Sequence, residues 1–295
     1  MFCISSNANL FNYGGNFVKI CFNQATTMKN STLETDLVSC EKYGYDFIEI
    51  RLDKLHDYLT RHTLGDLKAF FDSHHIKPFA FNALEFISFR DKKGFEQIMS
   101  GLKFCCEAGR VIGCSRVVVV PTFDVGNKTI GEIREETVRV LHIMADYAAP
   151  FGMQLAFEFV GYPNCSVNTF AQAYDIVKAA DRDNIGVVLD CFHFHAMGSR
   201  FESLEKADAR KIFILHLDDS EDLPVGAARD DNRLMPGEGA IDLKRILTTL
   251  KALGYDSMVS IELFRPEYWD WPDDKNIRIS YQKTCEAIRS FFPIG

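Results

Sequence analysis

Eight short apolar runs recur along the chain, and they constrain its fold more than any other feature. They are VKICFN (Val18–Asn23), FIEIR (Phe47–Arg51), PFAFNAL (Pro78–Leu84), RVVVVP (Arg116–Pro121), QLAFEF (Gln154–Phe159), IGVVLD (Ile185–Asp190), IFILHL (Ile212–Leu217) and MVSIEL (Met258–Leu263). Most are near-continuous Val, Ile, Leu and Phe rather than an alternation of apolar and polar residues. That pattern predicts parallel strands buried on both faces.

Stretches with helical character separate the runs. Ser31–Tyr43 starts at a Ser/Thr cap and sets Leu33, Leu37, Val38 and Cys40 on one face before Gly44. Lys93–Gly113, Thr129–Ala149 and Asn168–Ala180 read alike, Ile241–Leu253 closes at Gly254, and Asp274–Phe292 forms the last helix. The segment after Asp190 reads as irregular, with a short helix around Leu204. Strand–helix units of roughly thirty to forty residues call for right-handed crossovers and a closed (β/α)8 TIM barrel of class α/β. An open doubly wound sheet is the alternative, but the first strand lacks the glycine-rich turn that usually follows it there. The expected organisation is one barrel domain over 18–295, preceded by an N-terminal extension at 1–17.

Charge and cysteine usage narrow the function classes. With 33 Lys and Arg against 41 Asp and Glu, net charge −8, the chain lacks the basic balance of a nucleic-acid binder. No apolar run is long enough to cross a membrane, and the first residues have neither a basic start nor an apolar centre. Nine scattered cysteines without CxxC spacing read as reduced thiols. The expectation is a cytoplasmic protein with a small-molecule substrate and no nucleic-acid or membrane partner, homo-oligomerisation being left open.

Barrel enzymes place their chemistry at the C-terminal ends of strands. Strands five to eight each end in an ionisable residue: Glu158, Asp190, His216 and Glu262. Taken singly, such a glutamate is as readily paired with a loop amide, and such a histidine is more often a hydrogen-bonded core residue. Four of them on consecutive strands converge on one side of the mouth, and three carboxylates gather there only with a counter-cation. No lysine in these strands supplies it, so the reading is one divalent metal ion, Zn, Mn, Co or Mg, held by Glu158, Asp190, His216 and Glu262. His193, three residues past Asp190, is read as a loop residue that binds substrate or orients a ligand. Glu49 and Arg51 end strand two, Asn82 ends strand three and Arg265 follows Glu262. These are weaker mouth candidates, Glu49, Arg51 and Arg265 for substrate contact. Tyr268, Trp269 and Trp271 wall the pocket or cover the last helix. His195 and the remaining histidines, His56, His62, His74, His75 and His142, read as incidental.

From Val18 onward the chain resembles the sugar phosphate isomerase/epimerase superfamily of xylose-isomerase-like barrels, and within it the inosose isomerases of inositol catabolism. KICFNQATT, CEKYGYDFIEIR, HHIKPFAFNAL, LAFEFVGYPNCSVNTFAQAYDIV, RDNIGVVLDCFHFHAMGS, KIFILHLDDSEDLP, PGEGAIDL and VSIELFRPEY carry the likeness. The resemblance implies a metal-dependent isomerase of carbohydrate metabolism that interconverts 2-keto-myo-inositol and 1-keto-D-chiro-inositol through a cis-enediolate. It implies the same four metal ligands, and the placement of Glu158 and Glu262 on either side of the ion makes them the expected acid/base pair, either one serving as the base. Ketose 3-epimerases acting on free sugars are the alternative. They typically add a glutamate after strand five and an arginine after strand seven, where Asn164 and Asp222 stand here. Endonuclease IV shares the scaffold but uses three metals, and Asn82 and Pro121 at the ends of strands three and four do not supply ligands for them. A polyol-binding protein without catalysis is a further alternative.

Overall fold

The computed structural model describes residues 18–294, so the extension expected at 1–17 lies outside the described residues. Eight parallel strands close into a barrel: β1 (Lys19–Asn23), β2 (Phe47–Arg51), β3 (Lys77–Leu84), β4 (Arg116–Val119), β5 (Gln154–Glu158), β6 (Ile185–Asp190), β7 (Ile212–Leu217) and β8 (Met258–Ile261). Closure comes from β1, which pairs with β2 through Asn23 opposite Glu49 and with β8 through Cys21 opposite Ser260. The expected strand limits match for β2, β6 and β7, and the others differ by one or two residues at their ends.

Helices cover the outside. After β1 comes α1 (Leu33–Tyr43), and after β2 come α2 (Leu52–Tyr58) and α3 (Leu64–Ser73). Then α4 (Lys92–Ile112), α5 (Ile130–Ala148) and α6 (Phe170–Ala180) follow β3, β4 and β5. Two short helices, α7 (Cys191–Ala196) and α8 (Phe201–Leu204), follow β6, and α9 (Leu243–Ala252) follows β7. The chain ends with α10 (Pro266–Trp269) and α11 (Asp273–Ile288). Local chemistry explains the boundaries. Thr32 and Thr129 cap α1 and α5 reciprocally with Thr35 and Glu132, satisfying backbone N–H groups that have no helical acceptor. Gly44 and Gly113 end α1 and α4 in the left-handed region, at φ 87° and 84°. Two expectations change: Val38 lies 61% exposed while Leu33, Leu37 and Cys40 are buried, and the stretch after Asp190 is the helix α7.

Successive strand residues face opposite ways, and this alternation builds two apolar layers. Leu155, Phe157, Val187, Leu189, Leu215, Val259 and Ile261 pack outward against Leu37, Leu102, Leu141, Val177, Leu247 and Ile277 of the helices. Cys21, Val118, Ala156, Val188, Ile214 and Met258 form a smaller cluster inside the barrel. Continuing the inward series by two residues leads from Ala156 to Glu158, from Val188 to Asp190, from Ile214 to His216 and from Ser260 to Glu262. The apolar filling of the barrel therefore carries the polar groups at its mouth.

Past β7 the chain makes a two-stranded antiparallel ribbon, Asp219–Ser220 against Arg233–Leu234. The turn beyond folds back on it so closely that a Cβ on Gly239 would lie 2.2 Å from the Ser220 carbonyl oxygen. Asp219 fastens that turn by accepting from the Gly237 and Ile241 amides. Among the described residues no helix is long and apolar enough to cross a membrane.

Candidate metal centre

At the C-terminal mouth, Glu158, Asp190, His216 and Glu262 each offer one ligand-type atom, and these atoms all lie within 4.8 Å of one another. All four side chains are buried. The imidazole is at the centre. Its Nδ1 stands 2.9 Å from Glu158 Oε1, 3.1 Å from Glu262 Oε2 and 3.7 Å from Asp190 Oδ2. Its Nε2 faces the other way, 3.1 Å from Glu49 Oε1.

Two of the three carboxylates, Glu262 and Asp190, are held by neighbours outside the cluster. Asn23 and Asn82 donate to Glu262 Oε1 at 2.8 and 3.3 Å, leaving Oε2 toward the cluster. Asp190 caps α7 by accepting from the His193 amide at 2.6 Å on Oδ1, and it accepts from Arg233 Nη1 at 2.8 Å on Oδ2. Arg233 comes from the ribbon and is fully buried. The same Nη1 donates to Asp218 Oδ2, Nε donates to Asp230 at 3.0 Å, and Nη2 donates to His193 Nε2 at 3.1 Å. An arginine has only donors, so His193 Nε2 accepts and the ring hydrogen sits on Nδ1.

Burial and crowding set the charge states. Burial, reinforced by Glu262, pushes the Glu158 carboxyl up to about 8 despite His216. Burial opposes charge on His216, yet Glu262, Glu49 and Glu158 around it hold its pKa well above the usual histidine value. Burial works against Asp190 too, but Arg233 and His193 beside it carry it far below the carboxylate range. Burial and the Arg233 charge keep His193 below its usual value, against the pull of Asp190. Without a further cation, then, the mouth retains a proton that three free carboxylates would not.

The other sequence candidates fall elsewhere. Glu49 is fully buried beneath His216 and bonded to it, which removes it from the mouth surface where a substrate contact was expected. Arg51 is spent on Asp53 through two bonds of 3.0 Å, and Arg265 on Glu221 and Glu267 at 2.7 Å each. His193 is a buried helical residue rather than a loop residue, and its Nδ1 is enclosed without a partner. In place, the ring orients: it braces Arg233, which braces Asp190. Trp269 donates to the Ala25 carbonyl at 3.0 Å and Tyr268 accepts from the Met235 amide, so this aromatic group ties the last helices to the loops after β1 and β7. Asn164 is spent on Asp124. Asp222 is exposed, and the arginine that reaches the mouth after strand seven in this chain is Arg233, from the ribbon. Asn23, Asp218 and Arg233 escaped the sequence reading. Asn23 and Asp218 continue strand-end positions and were open to the same inward-series argument, whereas Arg233 lies in a segment without periodicity.

The donor set fits a divalent ion. Ligand atoms sharing one ion at bonds of about 2.0–2.2 Å lie about 3–4.4 Å apart, close to the spread seen here. Three carboxylates and one imidazole suit Zn²⁺, Mn²⁺, Co²⁺ or Mg²⁺.

Comparison with known proteins gives a consistent picture. A family model described as a xylose isomerase-like TIM barrel matches residues 37–287. The inosose isomerase of Bacillus velezensis is 50% identical over 276 residues, which cover 93% of this chain and 99% of that protein. The inosose isomerase of Bacillus subtilis is 49% identical over the same shares. The crystal structure of the IOLI protein with a binding zinc atom superposes with a TM-score of 0.92 at 49% identity, over 93% of this chain and 99% of that one.

Proposed function

The chain belongs to the xylose isomerase-like TIM barrel family, and on that premise we propose that it is an inosose isomerase, interconverting 2-keto-myo-inositol and 1-keto-D-chiro-inositol by proton transfer through a cis-enediolate. The observation that carries this reading is the joint convergence of Glu158, Asp190, His216 and Glu262 within 4.8 Å at the barrel mouth. These four residues would hold one divalent ion, as the zinc-bound relative supports. Such an ion supplies Lewis acidity that makes the hydrogen beside a ketone more acidic and stabilises developing charge on oxygen.

The protein's own groups do the rest. Glu158 Oε1 and Glu262 Oε2 lie 2.9 and 3.1 Å from His216 Nδ1, so either carboxyl group would reach a small ketone held at the ion. One takes the proton from the carbon beside the ketone, the hydroxyl proton of that carbon passes to the former ketone oxygen, and the other, or a water, returns a proton to the former ketone carbon. A positioned acid or base of this kind is worth roughly a hundred- to ten-thousand-fold. Asn23 and Asn82 fix the rotation of Glu262, and Arg233 with His193 fixes Asp190. Tyr162 meets His193 edge-on at 5.9 Å and continues to Phe123, an apolar rim suited to the C–H faces of a polyol ring. The eight described cysteines are free thiols, seven of them buried, which supports a cytoplasmic setting.

Following inosose by NMR in deuterated water, with and without chelator, tests the reading. Label should appear on the carbon beside the carbonyl, and chelator should stop it. Complete conversion without label would mean internal hydride transfer. Turnover of ketohexoses with inert inosose would replace the proposal with a 3-epimerase. Glu158→Gln and Glu262→Gln should each abolish turnover in a folded protein, and a wild-type rate in Glu262→Gln would remove that residue from the proton transfer.

A further inference from the structure

Glu49 is the buried acid that the proton transfer leaves unused. It sits on β2 beside Asn23 of β1, fully enclosed. Its Oε1 lies 3.1 Å from His216 Nε2, and its Oε2 has no hydrogen-bond partner. Among the described residues no other side chain bonds its carboxylate. A carboxylate in an apolar interior costs free energy unless something repays its desolvation, and the fold offers only the imidazole. Cys21, opposite Ser260 in the adjoining strands, feels the Glu49 charge too, and burial with that charge pushes its thiol well up, so it offers no compensation.

The two ring nitrogens of His216 explain why an acid is kept here. Nδ1 is turned to three carboxylates and Nε2 to Glu49 alone. A neutral imidazole carries one hydrogen. For Nδ1 to present its lone pair to an ion, that hydrogen must sit on Nε2, where it needs an acceptor. We propose that Glu49 is a positioning residue for the metal centre: by accepting from His216 Nε2–H it selects the tautomer whose Nδ1 lone pair faces Glu158, Asp190 and Glu262. This rests on the assignment of those four residues as ligands. Partners of this kind raise ligand basicity as well as fixing orientation.

Zn²⁺ titrated into metal-free wild type and Glu49→Gln, by calorimetry or chelator competition, tests it. Gln keeps the shape and an amide oxygen but loses the charge. Zn²⁺ should bind Glu49→Gln about ten- to a hundredfold more weakly than wild type. Metal-free stability should fall as well, because the buried pairing of the Glu49 carboxylate with His216 Nε2 is weakened. A purely structural role would show that lowered stability with unchanged Zn²⁺ affinity, and would overturn the proposal. ¹⁵N spectra of zinc-loaded wild type give a second readout that needs no variant. His216 should show a protonated Nε2 and a metal-bound Nδ1, and the opposite assignment would overturn the proposal. If wild type itself binds no Zn²⁺, the ligand assignment fails along with it. Binding by wild type with equal binding by Glu49→Gln sinks the role of Glu49 alone.

Discussion

Arg233 brings a fixed positive charge among carboxylates that share a few ångströms of dry space. Its Nη1 serves Asp190 and Asp218 together, and its plane lies over the Phe192 ring at 4.7 Å. Removing one partner of a buried ionic group leaves the others uncompensated, at a cost of about 3–5 kcal/mol. Arg233→Met should therefore lower the stability of the metal-free protein by about that much in chemical denaturation, and saturating Zn²⁺ should return part of the loss by recharging Asp190. A metal-free Arg233→Met as stable as wild type would mean that Asp190 and Asp218 do not depend on it. The contrast with the four proposed ligands shows what a sequence reveals at this scale. Glu158, Asp190, His216 and Glu262 stand out because each interrupts an apolar run that has no other use for charge. Arg233 interrupts nothing, because its surroundings in the chain are already polar. Strands five to eight hold no lysine or arginine of their own for these carboxylates, and the arginine that compensates them reaches in from outside the barrel strands.

At the level of elements, the strands were legible because burial on both faces writes itself as composition. The short helices were not. In α7, CFHFHA is six residues, too few to display a 3.6-residue period, and five of the six are buried. Its start is set by Asp190, whose Oδ1 caps it while Oδ2 faces Arg233. The tightness of this joint shows at Gly161, after β5. A Cβ there would lie 2.6 Å from the His193 carbonyl oxygen and 2.8 Å from its Cα. Backbone atoms cannot swing aside as a side chain can. Gly161→Ala should therefore displace α7 and with it His193 and the Asp190 cap. A misplacement of about 1 Å near reacting groups costs on the order of a hundredfold, so kcat/KM for inosose should fall by about ten- to a hundredfold. A folded Gly161→Ala with wild-type kcat/KM would show that α7 need not sit where it does. The start of α2 is equally unmarked, since it begins directly at the end of β2 without a side-chain cap, whereas α3 opens on a Thr63–Asp66 capping box that the sequence does display.

Across the whole molecule, the count and spacing of apolar runs led to the barrel, since eight buried parallel strands with helical crossovers have few other ways to close. What local pattern could not supply was the ribbon, whose two strands meet across a turn of no periodicity. The architecture separates two duties. The layer between strands and helices, from Leu37 to Ile277, holds the fold without help from the mouth. The proposed ligands come one from each of the β5 to β8 segments, with Asn23 and Asn82 reaching Glu262 from β1 and β3. A bound ion thus ties half the barrel together without being needed to form it. Metal stripped by chelator should leave far-UV circular dichroism nearly unchanged but lower the melting temperature. Free Zn²⁺ at a thousand times its Kd stabilises the folded state by about 4.1 kcal/mol. With roughly 2 °C per kcal/mol for a chain of this size, the shift should approach about 8 °C and grow with the logarithm of free Zn²⁺. If the melting temperature stayed put across that range, the four side chains would not share an ion in the folded state. If instead the stripped protein lost its secondary structure, the ion would belong to the folding of the barrel, and the independence of its apolar layers would be wrong.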